Sequence, residues 1–379
     1  MNVVESKTKS IYKTYMIYFI CMICFLAVRI AYANGFLSFK DAMVNNMFST
    51  IIIQVIIMFL LPFGLYCMLL KVKPKKLFNT CNYYKLNKKA IIVSFAIGIV
   101  VFLLNIAVST FFSSVISFFG YRSAGGSASS GDYSVSNLIL DLTLTALLPA
   151  FCEEFLHRGM LLQGTKHAGF KRAIIMSAIM FGFMHFNINQ FFYATFVGII
   201  LGLISVVAKN IWPAVIVHFT NNAIGIYIEY ASANKWIGGN FYTVLGNFFS
   251  SQSILFVFLT TFIFLALVFI ALTYLIYVLY KITILRKVEK AVNEVCDNKD
   301  EWVANSPVSV HQNQEIKRVV ESTTTLNLNF EEMKNPIDVV LPKQPNKYKT
   351  TIRDRVFIVG SFVLGTLVTL FTFLWGVIY

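Results

Sequence analysis

The chain has 379 residues, and its composition excludes a water-soluble globular protein. Apolar residues make up 57% of it, charged residues only 13%, and there are 37 phenylalanines. The formal net charge is +14, but the basic residues flank apolar runs and do not interleave with aromatic residues on one surface, so nucleic-acid binding is not indicated. We therefore expect most of the surface to contact the lipid bilayer.

Apolar runs long enough to cross a bilayer recur along the chain. Roughly 18 to 20 apolar residues in a helix span about 30 Å of hydrocarbon, and in lipid the backbone polar groups must be satisfied within the helix. The predicted fold class is therefore all-α, a polytopic transmembrane helical bundle with about eight to nine spans. The candidate spans are 15–34, which we interpret as a retained anchor, 47–70, 90–119, 138–163, 173–187, 191–208, 211–230, 252–282 and 355–378.

Basic residues predict the orientation of this bundle. With the N-terminus in the cytoplasm, the inner side holds 14 Lys and Arg residues up to Lys209, and the outer loops hold 3. Such a bias predicts a multi-pass protein of the cell membrane with its C-terminus outside. It also places a polar segment at 283–354 in the cytoplasm, where we expect partial disorder.

The chain is expected to fall into five parts. Residues 1–137 hold N-terminal spans and a flexible outer loop rich in Gly and Ser, and 138–230 form the core that carries the chemistry. Residues 231–282 add a further span, 283–354 are the polar segment, and 355–379 form a C-terminal span.

Polar side chains inside the predicted spans form one cluster. An ionisable side chain costs roughly 2.5 to 3.5 kcal/mol to insert at the centre of a span, so each one indicates function. A helix rises about 1.5 Å per residue, which places Glu153, His185 and His218 roughly 10 to 18 Å from the cytoplasmic ends of their three spans. These polar side chains therefore lie at a common level in the membrane. Their motifs are EExxxR (Glu153, Glu154, Arg158), FxxxH (Phe181, His185) and HxxxN (His218, Asn222).

Spacing assigns different roles to the two adjacent glutamates. Residues four apart share a helix face, so Glu154 meets Arg158, and a carboxylate held by an arginine is a poor base and a good structural clamp. Glu153 points elsewhere and is the candidate general base. Pro149, four residues before Glu153, is expected to interrupt the helix and open a cavity there.

The three motifs in this order resemble the type II CAAX prenyl endopeptidase and bacteriocin-processing family of intramembrane proteases, also called the CPBP or Abi family. The resemblance runs from about Leu138 to Ile228 and includes Gly198 and Gly202 at small-xxx-small spacing. Position 157, usually aromatic in the family, is His157, which we expect to face a polar cavity.

The resemblance implies a catalytic set of Glu153, His185, His218 and Asn222. Glu153 activates a water, His185 assists, and His218 and Asn222 stabilise the oxyanion, while Glu154 and Arg158 hold the geometry. The implied partner is a peptide or protein substrate at the membrane, such as a pheromone or bacteriocin precursor, with self-immunity as a related role.

A metal is the open question about cofactors. Two histidines and a glutamate are a common ligand set for catalytic Zn²⁺, so His185, His218 and Glu153 are the candidate ligands. The HExxH spacing is absent, and a metal-free mechanism accounts better for Asn222, so we favour no metal and keep Zn²⁺ as the alternative.

Two other functions fit an intramembrane cluster of this kind. A proton-coupled transporter also uses membrane-embedded Glu, His and Arg, although no inverted repeat is visible in the sequence. A non-catalytic immunity or scaffold protein would keep the fold alone, and the intact cluster argues against it.

Overall fold

The computed structural model describes residues 3–37, 39–122, 131–166, 169–250, 253–285 and 352–378. Within these ranges the chain forms helices and turns and no strand, which confirms the predicted all-α fold. The α-helices are α1 (Val3–Ala33), α2 (Ala42–Thr50), α3 (Leu61–Leu70), α4 (Pro74–Thr80), α5 (Lys88–Phe118), α6 (Val135–Asp141), α7 (Leu148–Glu154), α8 (Gln163–Thr165), α9 (Phe170–Phe183), α10 (Ile188–Ala208), α11 (Trp212–Asn234), α12 (Phe241–Ser250), α13 (Ile254–Tyr280) and α14 (Ile352–Ile378).

Seven helical stretches of the described chain are long and apolar enough to cross a membrane, which confirms a polytopic bundle. They are Ile11–Ala33, Met43–Leu70, Lys88–Phe118, Val135–Thr165, Ile188–Ala208, Leu259–Ile284 and Ile352–Ile378. The remaining candidate spans, 173–187 and 211–230, correspond to α9 and α11. Helix α9 has only 14 residues, and α11 contains His218 and two adjacent asparagines that lower its apolar content.

The helices that carry the three motifs are neighbours in the bundle. Helix α10 packs against both α9 and α11, and α11 packs against α7. Around them, α5 packs against α10 and α11, and α14 packs against α1 and α9. Polar groups on α7, α9 and α11 can therefore meet inside the protein.

Two of the spans that approach the site are not regular α-helices. Residues Ile51–Leu60 join α2 to α3 with π-helical winding, and Leu142–Leu147 and Phe155–Leu162 do the same on either side of α7. The N–H of Leu148, for example, bonds to the carbonyl of Thr143, five residues back. Pro149 follows directly and has no N–H, so the helix is irregular where the sequence predicts an interruption.

Helices α9 and α10 approach each other closely at two glycines of α10. A Cβ atom on Gly198 would lie 3.0 Å from Cα of Ala178, and one on Gly202 would lie 3.1 Å from Cγ2 of Ile174. A side chain at either position would require the facing residue to move by a few tenths of an ångström. The small-xxx-small pair therefore sets the distance between the two helices.

Two predicted segments lie mainly outside the described residues. The polar segment predicted at 283–354 is described only at 283–285 and 352–354, and the Gly- and Ser-rich run of the outer loop is not described at 123–130.

Candidate active site

A cavity of about 290 Å³ lies where the motif-bearing helices meet. Glu153, His185, His218 and Asn222 all line it. The fold thus brings together, from three separate stretches of chain, the four residues that the resemblance implies as catalytic.

Glu153 faces this cavity and is held from a helix that the motifs do not include. Its Oε1 accepts a hydrogen bond of 2.8 Å from the side-chain amide of Gln54. Its Oε2 lies 4.0 Å from Nε2 of His218, and 12% of the side chain is exposed. The carboxylate is therefore oriented on one oxygen, while the other faces the imidazole of His218 at the cavity.

Sequence analysis did not identify Gln54, although a signal was present. Gln54 is the only polar residue in the run Ile51–Leu60, and a polar side chain within a span is a functional candidate. Its own Oε1 is buried and has no hydrogen-bond partner.

Glu154 and Arg158 form the ion pair that their spacing predicts. Arg158 donates from Nη1 to Oε1 of Glu154 at 2.8 Å, and neither side chain is exposed. Arg158 also donates from Nη2 to the backbone carbonyl of Gly198 at 2.9 Å, which links α10 to the clamp. In a buried site, loss of either ion would leave the other uncompensated.

Glu154 has a second partner that the helix-face argument did not include. Its Oε1 also accepts a hydrogen bond of 2.9 Å from Nδ1 of His218. Because the carboxylate paired with Arg158 can only accept, Nδ1 of His218 carries the proton, and Nε2 is the nitrogen that faces Glu153. Glu154 therefore fixes the orientation and tautomer of His218.

His185 is oriented in a similar way by its own helix. Its Nδ1 lies 2.8 Å from the backbone carbonyl of Phe181, and a carbonyl only accepts, so Nδ1 is the protonated nitrogen. Nε2 remains available at the cavity. The two imidazoles of the site thus have matching tautomers.

Asn222 is positioned by a chain of amides across three helices. Asn105 donates to Asn221 at 3.2 Å, and Asn221 donates to Oδ1 of Asn222 at 3.0 Å. Asn222 then donates to the backbone carbonyl of Thr145 at 3.3 Å. Pro149, four residues after Thr145, has no N–H to give that carbonyl. The interruption at Pro149 therefore supplies an acceptor for Asn222.

Phe181, the aromatic residue of FxxxH, lies at the centre of the charged groups. The guanidinium of Arg158 lies 4.5 Å from its ring centroid. His185 and His218 contact the ring edge to face, at centroid distances of 5.0 and 5.6 Å. The ring therefore separates the buried clamp from the cavity and restricts both imidazoles.

His157 does not face the cavity, contrary to the expectation from sequence. It is fully buried, and its Nε2 lies 3.2 Å from the hydroxyl of Tyr18 on α1. Its Nδ1 lies 2.7 Å from the backbone carbonyl of Glu153. The residue follows Glu153 by four positions, but its ring turns into the core, where α1 provides a polar partner.

The arrangement does not fit a bound metal. The imidazole Nε2 atoms and the Glu153 carboxylate are suitable donors in chemical terms. Among the residues that the structure describes, however, no group of three His, Cys, Asp or Glu side chains is close enough to hold an ion.

The fold and the site define a multi-pass membrane protein with a carboxylate, imidazole and amide cluster in an intramembrane cavity. Residues 135–224 match the model of a family described as type II CAAX prenyl endopeptidase Rce1-like. This match covers about a quarter of the chain and confirms the resemblance that the three motifs indicate. Searches of curated proteins and of solved structures gave no match. At the level of the family, the match supports a CAAX-protease-like intramembrane endopeptidase.

Proposed function

We propose that the protein hydrolyses a peptide bond of a membrane-associated peptide or protein, with Glu153 as the general base. The observation that carries the proposal is the separation of 4.0 Å between Oε2 of Glu153 and Nε2 of His218 at the cavity surface. Glu153, the base, and His218, which polarises the substrate carbonyl, face each other there. Gln54 holds Glu153, and Glu154 holds His218.

In the proposed reaction, Glu153 takes a proton from water as the water oxygen bonds to the carbonyl carbon of the substrate. The carbonyl oxygen becomes an oxyanion, which needs donors in the transition state. In the proposed step His218 also carries a proton on Nε2, taken from the solvent before the substrate binds, and Glu154 balances its charge through Nδ1–H. His218 then donates from Nε2 to the oxyanion, and Asn222 can turn its amide from Thr145 towards the same oxygen. The C–N bond then breaks, and Glu153 returns its proton to the leaving nitrogen, with His185 assisting.

The buried pair Glu154 and Arg158 has a positioning role in this proposal. It orients His218 through Nδ1 and anchors α10 through the carbonyl of Gly198. Neither residue lines the cavity, so neither is expected to touch the substrate.

The substrate is expected to be a membrane-associated precursor, such as that of a peptide pheromone or a bacteriocin. Membrane fractions from cells that express the wild type or Glu153→Gln should differ in one or a few cleaved proteins. Purified wild type in lipid discs should then cleave the corresponding peptide, and Glu153→Gln should not.

A matched control shows whether the effect of Glu153→Gln comes from losing the base or would follow from losing any carboxylate of the protein. Glu229 is an exposed glutamate of α11 and does not line the catalytic cavity, so Glu229→Gln should cleave at the wild-type rate. Cleavage by Glu153→Gln at the rate of this control would refute the proposed function.

A further inference from the structure

Most of the lining of the catalytic cavity lies between the centre of the bundle and one end, while His218, Asn221 and Asn222 lie in the first half of α11. Three stretches of chain start at that end and run towards the opposite one. On each of them the residues that line the cavity begin near the start of the stretch and stop near its middle. The residues are 49–54 of Met43–Leu70, 144–153 of Val135–Thr165 and 190–197 of Ile188–Ala208. The side chain of Thr145 is exposed at this end, whereas Leu144 beside it is buried.

The opposite end of the site is closed by packed aromatic rings. Tyr83, in the segment before α5, contacts Trp212 at a centroid distance of 5.5 Å and Phe78 at 5.4 Å. Phe78 and Tyr83 both contact Phe155, which is fully buried two residues after Glu153. A substrate cannot approach Glu153 from that side without displacing this cluster.

The closed end is also the basic end. The chain there, between 71 and 89, between 166 and 172, and at 209, contains 11 Lys and Arg residues. At the open end, the connecting residues that the structure describes, 34–37, 39–41, 119–122, 131–134, 184–187 and 235–240, contain only Lys40, Arg122 and Lys235. Under the positive-inside rule the closed end faces the cytoplasm and the open end faces outwards.

The lining of the cavity indicates which part of a polypeptide fits. Hydroxyl and amide groups of Ser49, Thr50, Gln190 and Asn222 line it, and the lining includes no Lys or Arg. Such groups pair with the backbone of an extended peptide, whereas a free C-terminal carboxylate would meet the carboxylate of Glu153 and no Lys or Arg. The buried, unpartnered Oε1 of Gln54 is an acceptor suited to a substrate N–H.

We propose, on the basis of the proposed function, that the cavity takes an internal, uncharged peptide segment from the outer side of the membrane. The substrate is then an exported or membrane-anchored polypeptide whose cleavage site lies outside the cytoplasm. A protein on the cytoplasmic face would be out of reach.

The side of the opening can be tested without any substrate. Ser49→Cys and Thr145→Cys should each react with a membrane-impermeant thiol reagent added to intact spheroplasts, above the background of the unsubstituted protein. Lys75→Cys, at the closed end, should react only after permeabilisation. Ile199→Cys, on the exposed face of α10 outside the cavity, should not react in either case, because a thiol in lipid does not ionise. Reaction of Ser49→Cys only after permeabilisation would overturn the proposal.

Reporter substrates test the choice of segment separately. Two single-span reporters carry the cleaved segment found in the membrane proteome, one outside and one in the cytoplasm, and only the outer reporter should be cut. Shortening the outer reporter so that the segment ends in a free carboxylate should reduce its cleavage at least tenfold. Equal cleavage of the inner and outer reporters, or of the long and short ones, would contradict the proposal. Outside labelling of Ser49→Cys together with full activity of Glu153→Gln would instead refute the proposed function and leave the side of the opening intact.

Discussion

Gln54 donates a hydrogen bond of 2.8 Å to Glu153, although 99 residues separate the two in sequence. Gln54 lies on the π-helical segment Ile51–Leu60, outside the residues 135–224 that match the family. The candidate site therefore includes a part of the chain beyond the family region. In the proposed mechanism this bond fixes which oxygen of Glu153 receives the proton from water.

Replacing Gln54 tests this positioning role. Gln54→Met keeps the size of the side chain and removes the donor, and a hydrogen bond to a charged group contributes about 1.5 to 3 kcal/mol. The turnover number should fall about 10- to 100-fold, with a smaller change in KM and a melting temperature near that of the wild type. Ile56→Met, on the exposed face of the same segment, serves as the control. Loss of activity only in parallel with loss of stability would show that Gln54 acts through packing.

Substitutions of the two adjacent glutamates should have different effects on activity and stability. Glu153→Gln removes the base but keeps the volume and the contact with Gln54, so activity should be lost while yield and thermal stability stay near wild type. Glu154→Gln leaves Arg158 uncompensated in a buried site, which commonly costs about 3 to 5 kcal/mol. Its yield and melting temperature should therefore fall together with activity.

Arg158→Ala provides the converse of Glu154→Gln. It removes the other half of the pair and should resemble Glu154→Gln in yield and in melting temperature, measured in detergent. If Glu153→Gln is unstable while Glu154→Gln is stable but inactive, the base and the clamp are assigned in the wrong order.

The close packing of α10 can be tested by replacing Gly198, with Gly225 in the interior of α11 as the control. Gly198→Ala places a methyl group 3.0 Å from Cα of Ala178 and 3.2 Å from Nη2 of Arg158, and overpacking of this kind costs about 1 to 3 kcal/mol. Gly225→Ala on α11 meets nothing within 4 Å and should be neutral or stabilising by about 0.5 to 1 kcal/mol. The melting temperature should fall for Gly198→Ala and stay the same or rise for Gly225→Ala, and equal shifts of the two variants would exclude close packing at Gly198.

Activity is predicted to survive strong chelation. The proposed water is activated by Glu153 and the oxyanion is held by His218 and Asn222, so no step needs an ion. The measurement is cleavage by purified protein before and after chelation, with metal content determined in parallel. Stoichiometric Zn²⁺ that is lost together with activity, and restores it when added back, would replace this mechanism with a metal-dependent one.

Much of the site follows from local rules. The interval of four residues between Glu154 and Arg158 puts both on one face of a helix, and the structure joins them at 2.8 Å. The missing N–H of Pro149 predicts an irregular helix, which the structure has on both sides of α7. These features were predictable because they depend on residues within one turn of each other.

The contacts between helices were not predictable in this way. His218 reaches Glu154 across 64 residues, and Asn105 reaches Asn221 across 116. His157 shows the reverse case, since its spacing from Glu153 is compatible with the cavity but Tyr18 on α1 provides its partner. Helical periodicity gives the face on which a side chain lies, but not which helix packs against that face.

The sequence by itself determined the class of this protein and the chemical groups of its candidate site. Apolar runs force helices because lipid offers the backbone no hydrogen bonds, and the three motifs supply a carboxylate, two imidazoles and an amide. Only the tertiary structure decided that Gln54 holds Glu153, that Glu154 orients His218, and that the cavity is closed at the basic end of the bundle. Those outcomes depend on how helices distant in sequence pack together, and that packing is set by side-chain shape across many elements at once.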